Sequence, residues 1–343
     1  MSENPQNISV GVIGTGAMGG THARNIHSRV VGARVGAVMD IDLSAAEAVA
    51  AECGSPHIFR DADELINSEL VDAILIASPD ETHADYVLKC LEANKPTFCE
   101  KPLATTVADG QKIVEAEVEL GRRLAWVGFV RRYDPQHLGV QQAIETGRIG
   151  RPVLFKGWHR NMAITVSTAS EVILFNSAIH DLDSARWLLG QEIEQVYVTG
   201  TNVERKHGQD CNDLQLIQLS LSGGCLAIIE VDVSSAYGYE VGLEIVGDQG
   251  TALAGNPRGT IIRHNQNYTR HVEDIWFDRF EDGYIAEVRA WIGSILSNNH
   301  DGPDAWDGYL SLLAADTCIA SLKSGLPQRI PPYGQPALYE PGG

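Results

Sequence analysis

Ile8-Ser9-Val10-Gly11-Val12-Ile13-Gly14-Thr15-Gly16-Ala17-Met18-Gly19 decides the fold. An apolar run feeds a turn of the form G-x-G-x-x-G, and a helical pattern continues to Val30. The glycine pattern alone is weak; between a strand and a helix it gains meaning. Gly14 permits a tight turn, Gly16 lets a pyrophosphate approach the backbone, and Gly19 lets helix and strand pack closely. Ala17 and Met18 open the helix, whose N-terminus favours anionic charge. Asp40 closes the next apolar run, Ala33–Met39, at roughly the distance expected of a ribose-binding acid. A carboxylate there accepts from ribose hydroxyls and repels a 2′-phosphate. Asp42 adds a second negative charge, and no Arg immediately follows Asp40. The expected cofactor is NAD rather than NADP. The competing reading is a Gly-rich turn beside a solvated Asp.

Outward from this turn the alternation persists. Leu43–Glu52 and Ala62–Asn67 read as helices, Ala73–Ala77 as a strand and Thr82–Ala93 as a helix. Thr97–Cys99, Val107–Leu120 and Arg123–Val127 follow as strand, helix and strand. Such alternation predicts a parallel sheet covered on both faces, an α/β doubly wound Rossmann domain over residues 1–127. The rhythm then changes. Pro135–Thr146 and Asn176–Leu189 look helical, while Val153–Trp158, Gln195–Thr201, Leu214–Leu221, Cys225–Val233 and Val241–Val246 read as strands. Ser222-Gly223-Gly224 and Asp248-Gln249-Gly250 are turns, and Val203–Asp213 is a polar loop. Helices return at Ile285–Leu296 and Trp306–Leu322. Residues 128–343 are therefore expected to form an α+β substrate-binding and oligomerisation domain with a large, open, mostly antiparallel sheet. A C-terminal helix at about 304–323 is available to pack back on the first domain. The alternation in Leu214–Leu219 leaves apolar groups for an outer face, which marks an interface.

The 26 Lys and Arg against 45 Asp and Glu give a net charge of -19. That field opposes phosphate backbones and anionic lipid, so nucleic acid and membrane surfaces are not expected partners; a neutral polyol is unaffected. No apolar stretch reaches the length of a bilayer span. Met1–Ser9 is polar, and no signal peptide is read there. The six cysteines include no CxxC, which suits a cytoplasmic protein. No metal site is expected: His22 and His27 lack the i, i+4 spacing of a zinc helix, and no H-E-x-x-H occurs. A G-x-S-x-G elbow is also absent.

Glu100-Lys101-Pro102 follows the strand Thr97–Cys99, and strand ends in such sheets face the ligand crevice. A lysine there suits a substrate hydroxyl and its developing alkoxide charge; a lone loop lysine is equally at home in water.

Ala77-Ser78-Pro79, Thr82-His83 and Lys95-Pro96-Thr97-Phe98-Cys99-Glu100-Lys101-Pro102-Leu103-Ala104 together resemble the Gfo/Idh/MocA oxidoreductase family, whose two-domain plan spans the whole chain. The resemblance implies that Lys101 is catalytic and that Ser78, Pro79, His83, Glu100 and Lys101 border the cofactor. Gly128-Phe129-Val130-Arg131-Arg132-Tyr133-Asp134-Pro135, His159-Arg160-Asn161, Asn176–Asp183, Arg186-Trp187-Leu188 and Tyr237-Gly238-Tyr239 before Glu244-Ile245-Val246-Gly247 resemble its cyclitol-oxidising branch. That implies ring contacts from Lys101, Arg131, His159, Asn161, Ser177, His180 and Tyr239, with Tyr284 as a further candidate.

His180 matches the family's catalytic histidine. Position 176, four residues earlier, shares its helix face. Most members have Asp there; this chain has Asn176. An amide can orient an imidazole but cannot stabilise imidazolium by charge, so His180 is expected to bind its proton less tightly than beside Asp. Asp183 is a candidate substitute. The implied reaction is NAD-dependent oxidation of a secondary hydroxyl on an inositol-type cyclitol. His180 would act as base, Lys101 would hold the same oxygen, and Asn176 would fix the tautomer. Without the resemblance, the same residues suit plainer structural roles. His180 suits a core histidine between Ile179 and Leu182; Arg131 and Arg132 suit a solvated pair; Tyr239 suits strand packing; His159 and Asn161 suit a strand-end cap; His83 suits a loop tie. Rival functions are an aldopyranose or aminocyclitol dehydrogenase, a redox-neutral enzyme retaining NAD, and a sensor, which would need neither Lys101 nor His180. The family resemblance also implies homodimers or tetramers through the sheet.

Overall fold

The computed structural model describes residues 7–162, 169–203, 211–255, 261–269 and 271–340. Its opening alternation closes into a six-stranded parallel sheet of order β3-β2-β1-β4-β5-β6. The strands are β1 (Ile8–Ile13), β2 (Ala33–Met39), β3 (His57–Phe59), β4 (Ala73–Ile76), β5 (Thr97–Cys99) and β6 (Ala125–Val127). Between them run α1 (Ala17–Arg29), α2 (Leu43–Glu52), α3 (Ala62–Ile66), α4 (His83–Glu92) and α5 (Val107–Leu120). The order reverses between β1 and β4, the switch point where such sheets open a crevice for dinucleotides. Val10, Val12, Ile74, Leu75 and Ile76 are wholly buried, as strands covered on both faces require. Polar caps start the helices: Asp42 accepts from the Ser44 amide at 3.0 Å, and Thr106 from the Asp109 amide at 3.1 Å. β3 was not expected from the sequence. It is a three-residue edge strand with no fully buried residue, too short to show an apolar period.

The later chain supplies α6 (Pro135–Glu145), β7 (Pro152–Met162), α7 (Ser170–Ile173), a π-helical turn (Leu174–Ala178) and α8 (Ile179–Leu189). Then come β8 (Ile193–Thr201), β9 (Leu214–Leu221), β10 (Leu226–Ser235), β11 (Glu240–Gly247), β12 (Thr251–Ala254) and a ribbon of β13 (Ile262–His264) with β14 (Asn267–Thr269). α9 (Trp276–Ser297), α10 (Ala305–Ser324) and β15 (Gln328–Arg329) follow. The second sheet has the order β12-β11-β7-β10-β9-β8-β15. Only β7 and β10 pair in parallel, so the sheet is mixed and mostly antiparallel. Its inner face buries Phe155, Ile217, Ile229, Val231 and Leu243 in one cluster with Leu182, Ala185, Leu188, Ala315 and Cys318. On the outer face Leu216, Leu226, Ile228 and Leu253 stay 44–54% exposed.

Among the described residues, one compact unit takes the chain up to Val130, then Tyr284–Leu312 and the residues from Tyr333 on; the other takes Arg131–Gly283 and Leu313–Pro332. α9 and α10 each contribute to both units. The helix expected at Ile285 begins earlier, at Trp276, and carries a non-helical Phe280 (φ -114°). The helix expected at Asn176 begins at Ser170. Of the polar loop expected over Val203–Asp213, residues 204–210 lie outside the described residues. Among the described residues no helix is long and apolar enough to cross a membrane.

Candidate active site

The site residues fall into two groups, one in each unit. In the first, β1 delivers the chain into Gly14, whose φ of +86° suits glycine. A Cβ on Gly14 would come within 2.6 Å of the Ala77 carbonyl, and one on Gly19 within 1.8 Å of the Gly14 carbonyl. Gly16 is different: a Cβ there would meet nothing within 4 Å. The turn is thus closed on the strand side and open at Gly16. Among the described residues the N-terminus of α1 receives no side-chain cap at Gly16, and its first turn has no acidic residue. Its amides, including those of Ala17, Met18 and Gly19, present positive potential to that space. Asp40 Oδ2 accepts from the Thr15 amide at 2.6 Å and the Thr15 hydroxyl at 3.0 Å, while Oδ1 accepts from the Asp42 amide at 2.9 Å. This fixes a half-exposed carboxylate beside the turn. A dinucleotide fits these parts: open cradle, uncapped helix end and ribose acceptor.

The same unit places Ser78 and Pro79 after β4. Ser78 Oγ lies 2.7 Å from Thr82 Oγ1. His83 is buried; its Nδ1 lies 2.7 Å from the Pro102 carbonyl and its Nε2 3.0 Å from the Ser78 carbonyl. Its ring therefore ties the Ser78 loop to the turn that carries Lys101. Lys101 itself is half-buried. Glu100 points inward: Oε1 lies 2.7 Å from His22 Nε2, and Oε2 accepts from the Lys101 amide at 3.2 Å. Burial pushes the Glu100 carboxyl up, but His22 and the Lys101 and His83 charges outweigh it and hold it below the usual value. Tyr284 belongs to this unit, buried edge-on to His22 at 5.9 Å between ring centroids.

The second unit gathers Arg131, His159, His180 and Tyr239. Arg131 is buried, and its guanidinium donates to Asp181 Oδ1 at 2.6 Å. Nη2 lies 2.9 Å from His159 Nδ1, which in turn is 3.1 Å from Asp181 Oδ2. His159 Nε2 faces the Tyr239 hydroxyl at 3.5 Å. The rings of His159 and His180 are 6.4 Å apart. Burial pushes Asp181 up, yet the Arg131 charge and His159 more than reverse this, so its carboxyl stays below the usual range. Tyr239 also packs edge-on to Phe280 at 6.4 Å, over which the Arg279 guanidinium lies at 4.5 Å. Arg279 donates to Asp134 at 2.7 Å, and His137 Nδ1 lies 2.6 Å from the same carboxylate. Asn161 Nδ2 donates to Ser177 Oγ at 3.3 Å.

Asn176 and His180 are both half-buried, but the regular helix expected to align them carries a π turn at Leu174–Ala178. Such turns hold an extra residue and recur at functional sites. Asp183, the suggested substitute partner, accepts from Arg132 Nε at 3.1 Å and Nη2 at 2.6 Å. Arg132 is thus ion-paired rather than solvated. The sequence pattern did not mark Asp181, His22 or Glu287 as site residues. A lone Glu at position 287 within the apolar stretch Tyr284–Val288 was the available signal for one of them.

Residues 8–129 match an oxidoreductase family described as an NAD-binding Rossmann fold, and residues 141–329 match the C-terminal alpha/beta domain of the same family. The chain is 51% identical over 340 residues to an inositol 2-dehydrogenase of Rubrobacter xylanophilus, covering 99% of this chain and 98% of that one. It is 38% identical over 333 residues to inositol 2-dehydrogenase 1 of Saccharopolyspora erythraea, covering 97% and 99%. Among solved structures it resembles a myo-inositol dehydrogenase from Lactobacillus casei in complex with NAD(H) and myo-inositol. The TM-score is 0.92 at 33% identity, over 97% of this chain and 100% of that one.

Proposed function

The chain belongs to the Gfo/Idh/MocA oxidoreductase family, and from that premise we propose that it is an NAD-dependent enzyme oxidising a secondary hydroxyl of an inositol to a ketone. One observation carries the substrate class: the 51% likeness to an inositol 2-dehydrogenase along 99% of the chain. The open cradle at Gly16 with Asp40 beside it supports the cofactor. Bound there, NAD supplies the hydride-accepting nicotinamide.

Within this reading His180 removes the hydroxyl proton and Lys101 holds the same oxygen, stabilising its negative charge as the carbonyl forms. Asn176 orients the imidazole. His159, Asn161, Ser177 and Tyr239 orient the ring, and near-equivalent hydroxyls make that orientation decisive. We assign Arg131 to support rather than direct ring binding, because its guanidinium is buried against Asp181 and His159. Glu100 is likewise assigned to holding Lys101, and His83 to holding the adjoining loop. Tyr284 remains a candidate ring contact, though its ring is packed on His22.

A second copy of this chain is proposed to cover the outer sheet face. That face carries Leu226 and Ile228 among ion pairs of both signs, Lys156 with Glu244 and Arg160 with Glu230, so its charges are locally balanced despite the acidic chain. Leu226→Asp with Ile228→Asp is expected to yield monomers by light scattering; an unchanged mass would reject this face. Cytoplasmic location fits six buried free thiols.

The test is a panel of cyclitols and pyranoses with NAD and NADP, followed by absorbance of the reduced nicotinamide. Turnover of myo- or scyllo-inositol with NAD is expected. Turnover of a pyranose alone, or preference for NADP, would refute the reading.

A further inference from the structure

His22 on α1, Glu100 at the end of β5 and Glu287 on α9 converge inside the first unit, with one ligand-type atom of each within 4.8 Å of the others. His22 and Glu287 are fully buried, and Glu100 is 7% exposed. Phe98 and Tyr284 pack edge-on to His22 at 5.5 and 5.9 Å, and Trp291 packs on Phe98 at 5.6 Å. A Cβ on Gly128 would lie 3.0 Å from Glu100 Oε2, so the absent side chain leaves room for the carboxylate. The donors are unequally shared. Glu100 has the imidazole on one oxygen and the Lys101 amide on the other. Among the described residues neither oxygen of Glu287 meets a donor.

Three side chains of this kind could hold a metal ion, but the geometry argues otherwise. His22 Nε2 and Glu100 Oε1 are 2.7 Å apart, a direct hydrogen bond. Two ligands each ~2.0–2.2 Å from one zinc in tetrahedral array would stand well over 3 Å apart. Two ionised carboxylates are also disfavoured, since like charges this close in a dry interior cannot both be sustained.

We propose that His22, Glu100 and Glu287 form a one-charge, two-carboxyl cluster in which Glu287 carries the proton and the anionic Glu100, clamped by His22, is the positioning residue for Lys101. His22 from α1, His83 from α4 and Lys101 act on Glu100, Glu100 in turn acts on Glu287, and Tyr284 packs against His22. Burial, and then the Glu100 charge, keep Glu287 protonated well above the usual carboxylate range. The negative charge is thereby confined to the carboxyl that grips the Lys101 amide. The positioning claim rests on the catalytic reading of Lys101; the location of the proton does not.

The experiment has two arms, each using the full chain. Infrared difference spectra of wild type minus Glu287→Gln are taken near neutral pH, where ordinary carboxyls are ionised and the buried Glu117, pushed up to about 7, is common to both proteins and cancels. The expected result is a protonated-carboxyl stretch present in wild type and lost in the variant. A carboxylate band in its place, or a stoichiometric metal in the purified protein, would overturn the cluster. In the second arm Glu100→Gln and Glu100→Ala are assayed for inositol oxidation. kcat is expected to fall at least about tenfold, with KM for NAD moving less than about threefold and Gln retaining more activity than Ala. Unchanged kcat in both variants would remove Glu100 from the positioning of Lys101. Absence of the infrared band from wild type fails the cluster alone, whereas a wild type that oxidises no inositol fails the functional reading alone.

Discussion

Two buried polar clusters, one in each unit, stand next to the two proposed reactive side chains, and they are built on opposite plans. Around Asp181 the charges match: a guanidinium and a carboxylate are bonded at 2.6 Å, with one imidazole nitrogen 2.9 Å from the first and 3.1 Å from the second. Around Glu100 they do not: two carboxyls face one imidazole, and one carboxyl lacks donors among the described residues. A matched cluster rigidifies, because removing either ionised member strands a buried charge. An unmatched one persists by keeping a group neutral. On the proposal, the second unit fixes its site with ion pairs, whereas the first leaves Lys101 beside a single localised charge. The two should therefore fail in different ways when broken.

The largest effect is expected at Lys101. Lys101→Ala should lower kcat about a thousandfold, as loss of an oxyanion-stabilising group does, with NAD affinity by fluorescence titration and Tm both nearly unchanged. A large fall in Tm would erase the contrast, since Lys101 would then be a structural member of its cluster. Asp181→Ala should do the reverse. It strands the buried Arg131 and should cost about 3–5 kcal/mol in urea unfolding. A loss under about 1 kcal/mol would mean that the Asp181 cluster is not the rigid one.

Glu117 sharpens the contrast by showing what donors achieve. It accepts from the Leu124 amide, from the Ala125 amide at 2.7 Å and from the Tyr339 hydroxyl at 2.6 Å. Burial still raises it from 4.5 to about 7. A raised carboxyl binds its proton more tightly folded than unfolded. Its stabilising contribution is therefore complete below pH 4.5 and is lost as pH climbs toward about 7. At ~1.4 kcal/mol per unit, the loss is on the order of 3 kcal/mol. Wild-type stability should show this decline between pH 4.5 and about 7, and Glu117→Gln should flatten it. An identical slope in both proteins would show that Glu117 is not the titrating group. The smallest effect concerns Asn176→Asp, which should raise the kinetic limb assigned to His180 by about one unit. A superimposable pH–rate profile would show that position 176 does not sense the imidazole's charge.

The same contrast explains what the sequence disclosed. The glycine turn, Asp40 and the strand–helix alternation of the parallel sheet were legible because their partners lie close in sequence and repeat a local rhythm. β3 was not, since three residues at an edge carry no period. The π turn was not, because apolar spacing alone does not distinguish it from regular helix through Asn176. The proposed reactive pair, Lys101 and His180, was legible only through family resemblance. Their supports depend on contacts across long separations, such as Arg131 with Asp181 and His22 with Glu100, which no local pattern encodes. The resemblance implied Arg131 as a ring contact but carried no sign of its pairing with Asp181 and His159.

The central claim is that Lys101 and His180 serve one hydroxyl oxygen, and a double-mutant cycle on kcat tests it most directly. Lys101→Ala, His180→Ala and the double variant should show strongly non-additive losses, the double being about as slow as the worse single, as for residues that act as a unit. Losses that simply multiply, or either single variant retaining wild-type kcat, would contradict it.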